Sequence, residues 1–167
     1  MDIKIRSAAP EDAGDFQRIF SHPDVYPFTL QRPCPSREMW LERLTHNRNR
    51  GILDFVAEIE GKIVGTLGLH TNENPRRKHT VGLGITVDTD YSGKGIGTQL
   101  MEFAIDYAFN WIACSRIQLE VFTDNEKAIA LYTKLGFEKE GILRKEALKR
   151  GEYCDVMVMA KIADRIS

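Results

Sequence analysis

The chain has 167 residues, of which 43% are hydrophobic and 28% are charged, and its formal net charge is −1. This size predicts a single domain, residues 1–167, that buries roughly 70% of its unfolded surface. A net charge near zero gives no electrostatic reason to expect nucleic acid or an anionic membrane as a partner, and no apolar run approaches the ~18 residues that span a bilayer.

The cysteines and histidines indicate neither a disulfide framework nor a metal site. Cys34, Cys114 and Cys154 are odd in number and widely spaced, which predicts reduced and mostly buried thiols. The four histidines show no metal-ligand spacing, so we expect no metal ion. Polar and charged residues interrupt the N-terminal segment throughout, so we expect no secretory signal and a cytoplasmic protein.

The N-terminal region predicts one strand followed by two helices. Residues 3–6 alternate apolar and polar side chains, as a strand does. Pro10 and the two acids after it suit the first turn of a helix, whose buried face comprises Phe16, Ile19 and Phe20. Residues 22–35 contain several prolines and predict an ordered loop. Ser36 is a good N-cap for a second helix, which carries Trp40, Leu41 and Leu44.

A β-hairpin is predicted next. Residues 53–59 and 62–69 are apolar runs separated only by Glu60 and Gly61, and a glycine supplies the positive φ that a tight turn requires. A polar loop, residues 71–80, follows the hairpin.

A β-branched run then ends in a glycine-rich turn that opens into a helix. Residues 81–87 predict a strand, and after a polar turn Gly93, Gly95 and Gly97 follow at alternate positions. A helix N-terminus offers unpartnered N–H groups and a favourable dipole, so this turn predicts an anion site. Its spacing fits neither the P-loop nor the dinucleotide fingerprint, whose third glycine would stand at Thr98. The apolar stripe of the helix comprises Ile96, Leu100, Phe103, Ala104, Tyr107, Ala108 and Trp111.

The remaining pattern predicts a strand, a helix and two closing strands. Residues 116–122 form a strand that should lie parallel to the strand before the glycines, with a right-handed crossover, because a helix joins the two. Asp124 or Asn125 can cap the next helix, and Gly136 suits its left-handed C-terminal residue. Two apolar runs predict the closing strands: residues 137–145 and 153–162.

Two motifs in this order resemble those of the GNAT superfamily, the acetyl-CoA-dependent N-acetyltransferases. The pyrophosphate-binding signature of that family runs Arg/Gln-x-x-Gly-x-Gly/Ala, and residues 92–97 (SGKGIG) match both glycines, with Ser92 in place of Arg or Gln. Residues 125–137 (NEKAIALYTKLGF) resemble the second signature at the expected distance. The resemblance covers essentially the whole chain. Residues 25–36 and 151–155 make it most similar to bacterial amino-acid N-acetyltransferases.

The resemblance implies an α/β fold with a mixed sheet of about seven strands, mostly antiparallel and twisted, flanked by about four helices. Its central parallel pair splays apart around acetyl-CoA, the co-substrate, whose pantetheine arm would pair with the backbone of Val87 and Asp88. Lys94 would add charge at the phosphates or point to solvent. The residues that the resemblance assigns to acetyl-CoA are Val87, Ser92, Gly93, Lys94, Gly95, Ile96, Gly97, Thr98, Asn125, Tyr132 and Lys134.

The same resemblance suggests the catalytic groups. Tyr132 matches the tyrosine that protonates the CoA thiolate, and a phenol with a pKa near ~10 can act as that acid; otherwise it is a core aromatic of its helix. Glu120 stands where some ribosomal-protein acetyltransferases carry a catalytic glutamate. It would accept the ammonium proton if burial raised its pKa, unless strand alternation turns it away. Asn125 contacts the cofactor, caps its helix, or does both.

The acceptor site is expected between residues 26–31, the helix around Trp40 and the turn at residues 149–153. Phe28, Leu30 and Trp40 would form an apolar wall suited to a hydrophobic amino-acid side chain, or else they only pack the N-terminal helices on the sheet. The remaining polar or aromatic candidates near this site are Gln31, His70, His79 and Tyr153.

The resemblance therefore implies an enzyme that moves the acetyl group of acetyl-CoA to a primary amine by direct transfer in a ternary complex. The first choice of acceptor is the α-amino group of a free amino acid; a protein N-terminus and a polyamine are the alternatives. A non-catalytic CoA-binding module is a rival of another class, which the departure at Ser92 allows and Tyr132 opposes. A small-molecule amine is the expected partner, and a homodimer is left open.

Overall fold

The computed structural model describes residues 1–164 and contains one seven-stranded mixed sheet. The strands in chain order are β1 (Lys4–Ser7), β2 (Ile52–Ile59), β3 (Lys62–His70), β4 (Thr80–Val87), β5 (Arg116–Phe122), β6 (Glu138–Lys149) and β7 (Glu152–Ile162). The α-helices are α1 (Ala13–Phe20), α2 (Arg37–His46), α3 (Ile96–Asn110) and α4 (Glu126–Lys134). Short 3₁₀ turns occur at Pro10–Asp12, Tyr26–Phe28, Asn47–Arg50 and Thr89–Tyr91.

The strand order across the sheet is β1-β2-β3-β4-β5-β7-β6. Every neighbouring pair is antiparallel except β4 and β5, which α3 connects and which run parallel. The hairpin turn between β2 and β3 has positive φ at both Glu60 and Gly61, the geometry that matches the twist of paired strands. The predicted fold class, with about seven strands, one parallel pair and about four helices, is confirmed.

The sheet carries a separate hydrophobic cluster on each face. Side chains alternate between faces along a strand, and β2 shows the consequence: Phe55 and Ala57 pack with α3, whereas Val56 between them packs with α1 and α2. Ser36 caps α2 as predicted, because its Oγ accepts a hydrogen bond of 3.0 Å from the Met39 N–H.

The parallel pair separates soon after it begins. β4 and β5 pair only where Thr80–Gly82 faces Arg116–Gln118. Further along, β4 stays paired with β3 as far as Val87, and β5 stays paired with β7 as far as Phe122. The two strands therefore diverge. A gap opens between them at the end of β4, just before the glycine turn.

Two details of the predicted burial are wrong. Trp111 is 74% exposed, because α3 ends at Asn110 and Trp111 is the C-cap residue, beyond the helical stripe. The thiols are not mostly buried either: Cys114 is buried, Cys154 is half-buried and Cys34 is exposed in the proline-containing loop.

An ion pair between the buried carboxylate of Asp88 and the exposed side chain of Arg18 ties α1 to the end of β4. The Asp88 carboxylate accepts hydrogen bonds from Arg18 Nη1 and, at 3.0 Å, from the Asp90 N–H. Arg18 Nη2 also donates to the Ile63 carbonyl at 2.7 Å. Burial alone would raise the pKa of Asp88, but these hydrogen bonds hold the pKa below its ordinary value. The turn that follows β4 is thus anchored to helix and sheet together.

We expect Asp88→Asn to lower the free energy of unfolding by about 1.5–3 kcal/mol at pH 7, the usual contribution of a hydrogen bond to a charged group. Because the folded-state pKa of Asp88 is lowered, its stabilisation is present above the unfolded-state pKa and is lost as the pH falls through the folded-state pKa. The difference in unfolding free energy between wild type and Asp88→Asn should therefore disappear in acid, below about pH 4. Urea denaturation of both proteins from pH 3 to pH 8 measures this difference.

Asp15→Asn is the matched control, since Asp15 also pairs with Arg18, at 3.1 Å, but is 40% exposed at its side chain. An exposed pair contributes about 0–1 kcal/mol. Equal losses in the two variants at pH 7 would contradict the structural role of Asp88.

Candidate active site

A cavity of about 1300 Å³ occupies the gap between β4 and β5 and is also lined by residues of α1, α2 and α4. Most of the predicted site residues line it. Those on the cavity wall are Phe28, Leu30, Gln31, Trp40, His70, Val87, Ser92, Gly93, Gly95, Ile96, Gly97, Thr98, Glu120, Asn125 and Tyr132.

Four predicted residues lie outside the cavity wall. Lys94 Nζ stands 5.0 Å from the centroid of the Tyr91 ring. Lys134 is exposed in the last turn of α4. His79 precedes β4, at the end of that strand opposite the glycine turn. Tyr153 is 69% exposed on β7.

The glycine turn is held open by backbone conformation. Gly93 and Gly95 have φ of +76° and +81°, and a Cβ at either position would meet nothing within 4 Å. The left-handed conformation, not crowding, is what favours glycine there. No side chain caps the first turn of α3, and the first hydrogen bond of this helix runs from the Gln99 N–H to the Gly95 carbonyl, at 3.1 Å. The N–H groups of the preceding residues can therefore meet an anion.

Gly97 plays a different part. A Cβ there would lie 3.4 Å from Leu131 Cδ2 and 3.8 Å from Ile85 Cδ1. The absence of a side chain lets α3 approach both α4 and β4 closely. This glycine serves packing between the elements that build the gap.

A lysine from another element stands beside Ser92, the position where the family signature has Arg or Gln. Lys127 Nζ, on α4, donates to Ser92 Oγ at 2.7 Å, and Lys127 lines the cavity. Sequence reasoning missed this residue, because the two positions are 35 residues apart and only the fold brings them together.

The backbone of Asp88 is already engaged. Its N–H donates to the Val64 carbonyl at 2.8 Å, and its carbonyl accepts from the Tyr91 N–H at 2.9 Å. The expected backbone pairing with a pantetheine arm can therefore involve β4 up to Val87 and does not extend to Asp88.

Tyr132 is both a core residue and a wall of the cavity. It is 9% exposed, and its ring centroid lies 6.1 Å from that of Phe137. Burial raises the pKa of Tyr132 to about 12, so the phenol keeps its proton at neutral pH. Asn125, two turns of helix away at the start of α4, caps that helix by accepting from the Ala128 N–H at 3.3 Å.

Glu120 projects from β5 on the same face as Gln118, and both line the cavity. Glu120 is exposed. Within residues 1–164 its carboxylate has no hydrogen-bonding or ionic partner.

Asp54 is a lining carboxyl that sequence reasoning missed. It lies on β2 opposite Gly68 of β3, and Gly68 in turn pairs with Gly84 of β4. Because neither glycine carries a side chain, open space lies next to the Asp54 carboxyl. Asn47 Nδ2 donates to Asp54 Oδ2 at 2.8 Å. Burial raises the pKa of Asp54, although the Asn47 hydrogen bond and nearby His70 oppose the rise. The acid inside the otherwise apolar segment ILDFVA was the available signal.

The expected apolar wall has two parts. Trp40 is 5% exposed and packs against Phe16 and Phe20, with ring centroids 5.0 and 4.7 Å away. Both readings of Trp40 therefore hold, since it packs the N-terminal helices and also lines the cavity. Phe28 and Leu30 are 45% and 69% exposed and form the rim.

Within residues 1–164, no group of three or more His, Cys, Asp or Glu side chains is arranged to hold a metal ion. None of the helices in that range combines the length and apolar character needed to cross a bilayer.

Comparison with known proteins gives a consistent family. The sequence model of the Acetyltransferase (GNAT) family matches residues 16–137. The chain is 42% identical over 161 residues to the L-amino acid N-acetyltransferase AaaT of Escherichia coli (strain K12), covering 96% of this chain and 98% of that protein.

Two solved structures are similar over nearly the full length. One is the ribosomal-protein-S5-alanine acetyltransferase from Vibrio fischeri, with a TM-score of 0.86, 26% identity and coverage of 100% of this chain and 96% of that one. The other is the spermidine N-acetyltransferase from Vibrio cholerae in complex with CoA and spermine, with a TM-score of 0.86, 26% identity and coverage of 96% and 95%.

We expect Asp54→Asn to raise the melting temperature at pH 8, since the amide still accepts from Asn47 but carries no charge in a buried place. A gain of about 1 kcal/mol would shift the melting temperature of a domain this size by roughly 2–4 °C. The folded-state pKa of Asp54 is raised, so wild type loses stability as the pH rises through it. The advantage of the variant should grow with pH and vanish below the unfolded-state pKa.

Glu58→Gln on the same strand is the control, because Glu58 accepts from Arg6 Nε at 2.8 Å and its neutralisation removes an ion pair. Thermal melts of both variants from pH 3 to pH 8 make the comparison. A melting temperature for Asp54→Asn below that of wild type at pH 8 would refute the burial argument.

Proposed function

The chain belongs to the Acetyltransferase (GNAT) family, and on that basis we propose that it transfers the acetyl group of acetyl-CoA to the α-amino group of a free amino acid. It is an N-acetyltransferase with acetyl-CoA as co-substrate. The observation that supports the choice of acceptor is the near full-length similarity to an L-amino acid N-acetyltransferase. The proposal treats residues 1–167 as one catalytic domain, since a single sheet runs from β1 to β7.

The residues of the gap fit acetyl-CoA, which supplies an activated acetyl thioester when bound. Beyond Gly82, β4 has no pairing with β5, so its edge can take the hydrogen bonds of an extended ligand with amide groups. The uncapped first turn of α3 follows the open glycine turn, and Lys127 stands beside it. Unpartnered N–H groups and an ammonium together suit a pyrophosphate.

Tyr132 is the proposed general acid. It would donate its phenolic proton to the departing CoA thiolate as the bond from the acetyl carbon to sulfur breaks. Its pKa of about 12 keeps the phenol protonated at neutral pH, so the proton is present when the thiolate departs.

Glu120 is the proposed general base. Its carboxylate would accept the ammonium proton through water, and its exposure gives that proton a way out to solvent. No covalent acetyl-enzyme is required, since Cys34, Cys114 and Cys154 all lie outside the cavity wall. This supports direct transfer to the amine.

A polyamine is the second candidate acceptor. Three carboxylates line the cavity, those of Asp24, Asp54 and Glu120, and such acids suit a ligand with several ammonium groups. A protein N-terminus is the third candidate.

We expect a free amino acid to give the highest kcat/KM when CoA thiol release is measured against the twenty L-amino acids, spermidine, spermine and short peptides. A higher kcat/KM for a polyamine or a peptide would reassign the acceptor. Binding of acetyl-CoA without thiol release for any of these amines would favour the non-catalytic module.

We expect Tyr132→Phe to lower kcat by roughly 100- to 10,000-fold, the usual contribution of a general acid. The dissociation constant for acetyl-CoA, measured by calorimetry, should change little because the ring remains in place. Tyr107→Phe is the control, since Tyr107 stacks on Phe103 away from the cavity wall. Similar kcat values for Tyr132→Phe and wild type would remove Tyr132 from the chemistry.

A further inference from the structure

One face of α2 and of the 3₁₀ turn after it is directed at the cavity. Trp40, Arg43 and Asn47 occur at intervals of three and four residues, which places them on one side of a helix. All three line the cavity. Asn47 from this face reaches the carboxyl of Asp54 on β2, so the helix wall and the sheet floor are joined.

The guanidinium of Arg43 is held in position without a carboxylate partner. Nη1 donates to Gln31 Oε1 at 2.6 Å, and Cζ stands 5.0 Å from the centroid of the Trp40 ring. In the described part of the chain, Arg43 forms no ion pair. Other arginines do pair with carboxylates, namely Arg6, Arg18, Arg50 and Arg116.

The support for Arg43 is itself ordered. Gln31 follows a tight loop in which its N–H donates to Thr29 Oγ1 at 3.0 Å, and Thr29 Oγ1 donates to the Tyr26 carbonyl at 3.0 Å. The loop therefore presents the Gln31 amide to Arg43 in a fixed place. A guanidinium has five donors in a planar fork, and one hydrogen bond to Gln31 leaves most of the fork free for a ligand.

A second unsatisfied donor belongs to the same wall. The indole Nε1 of Trp40 is buried and has no hydrogen-bond partner, and within residues 1–164 no other buried side-chain polar atom shares that condition. An unpartnered buried donor is costly. The Trp40 ring contributes to the site as the face over which the Arg43 guanidinium lies, with Cζ 5.0 Å from the ring centroid.

We propose that Arg43, held by Gln31 and the face of Trp40, binds the carboxylate of the acceptor amino acid. The inference rests on the proposed function, because it takes a free amino acid as the acceptor. The site then offers a cation on α2 and carboxylates at Asp54 and Glu120 across the cavity. This polarity matches a zwitterion, whereas a polyamine would bring only positive charge to Arg43.

The test compares each of the twenty L-amino acids with its own carboxamide, using wild type, Arg43→Gln and Arg43→Lys. Arg43→Gln should raise KM for the preferred amino acid roughly 10- to 100-fold, as expected for losing a charge-assisted hydrogen bond, with kcat much less affected. The kcat/KM for the carboxamide should change about twofold or less, since an amide does not need the charge. Arg43→Lys should lie in between, because it keeps the charge but loses the planar fork.

Arg48→Gln is the matched control. Arg48 is exposed in the 3₁₀ turn that follows α2 and lies outside the cavity wall, so KM for the amino acid should stay at the wild-type value. Thermal melts and acetyl-CoA binding establish that each variant is folded. If Arg43→Gln does not fold, Arg43→Lys and competitive inhibition of wild type by the deamino carboxylic acid, against its amide, decide the question.

The outcomes separate the two proposals. If wild type acetylates amino acids but Arg43→Gln loses amino acid and carboxamide activity equally, or loses neither, the carboxylate site is refuted and the proposed function stands. If wild type acetylates no amino acid and prefers a polyamine or a peptide, the proposed function itself fails. A large loss confined to the amino acid supports both.

Discussion

The architecture depends on the short length of the parallel pairing between β4 and β5, the only parallel pairing in the described sheet. β4 and β5 pair over three residues each, and each strand then follows its antiparallel neighbour, β3 on one side and β7 on the other. Unpaired backbone at the centre of a sheet needs another partner, so the gap is a place for a ligand. The same divergence places the two following segments, the glycine turn after β4 and α4 after β5, beside each other on the cavity wall.

Features that depend on neighbours in sequence could be predicted. The Glu60–Gly61 turn, the Ser36 and Asn125 caps and the left-handed Gly136 each follow from the conformation or hydrogen bond that a residue type favours locally. The order of strands and helices then restricts the topology, because a helix between two strands implies a parallel crossover. The cavity wall around the glycine turn and Tyr132 therefore matches the expectation closely.

Features that depend on register and on meetings between distant segments could not be predicted. Lys127 reaches Ser92 only because α4 packs beside the glycine turn, and Asp54 faces open space only because Gly68 and Gly84 fall in its row of the sheet. The same limit explains residues assigned to the site that lie elsewhere. His79 precedes β4 and Tyr153 lies on β7, and both lie outside the cavity wall.

Several polar groups with incomplete internal pairing belong to one short segment of the chain. In the described structure Arg43 lacks a carboxylate partner, the Trp40 indole N–H lacks an acceptor, and the Asp54 carboxyl, whose pKa burial raises, has Asn47 as its only hydrogen-bonding partner. These residues all fall between positions 40 and 54. The glycine turn, β5 and α4 fall between positions 92 and 134. Separate segments therefore form the proposed acceptor wall and the proposed wall for the acyl donor, so we expect substitutions in the first to change the acceptor while the second keeps its geometry. Relatives named for amino acid, polyamine and ribosomal-protein substrates share this fold, as such a division of the chain allows.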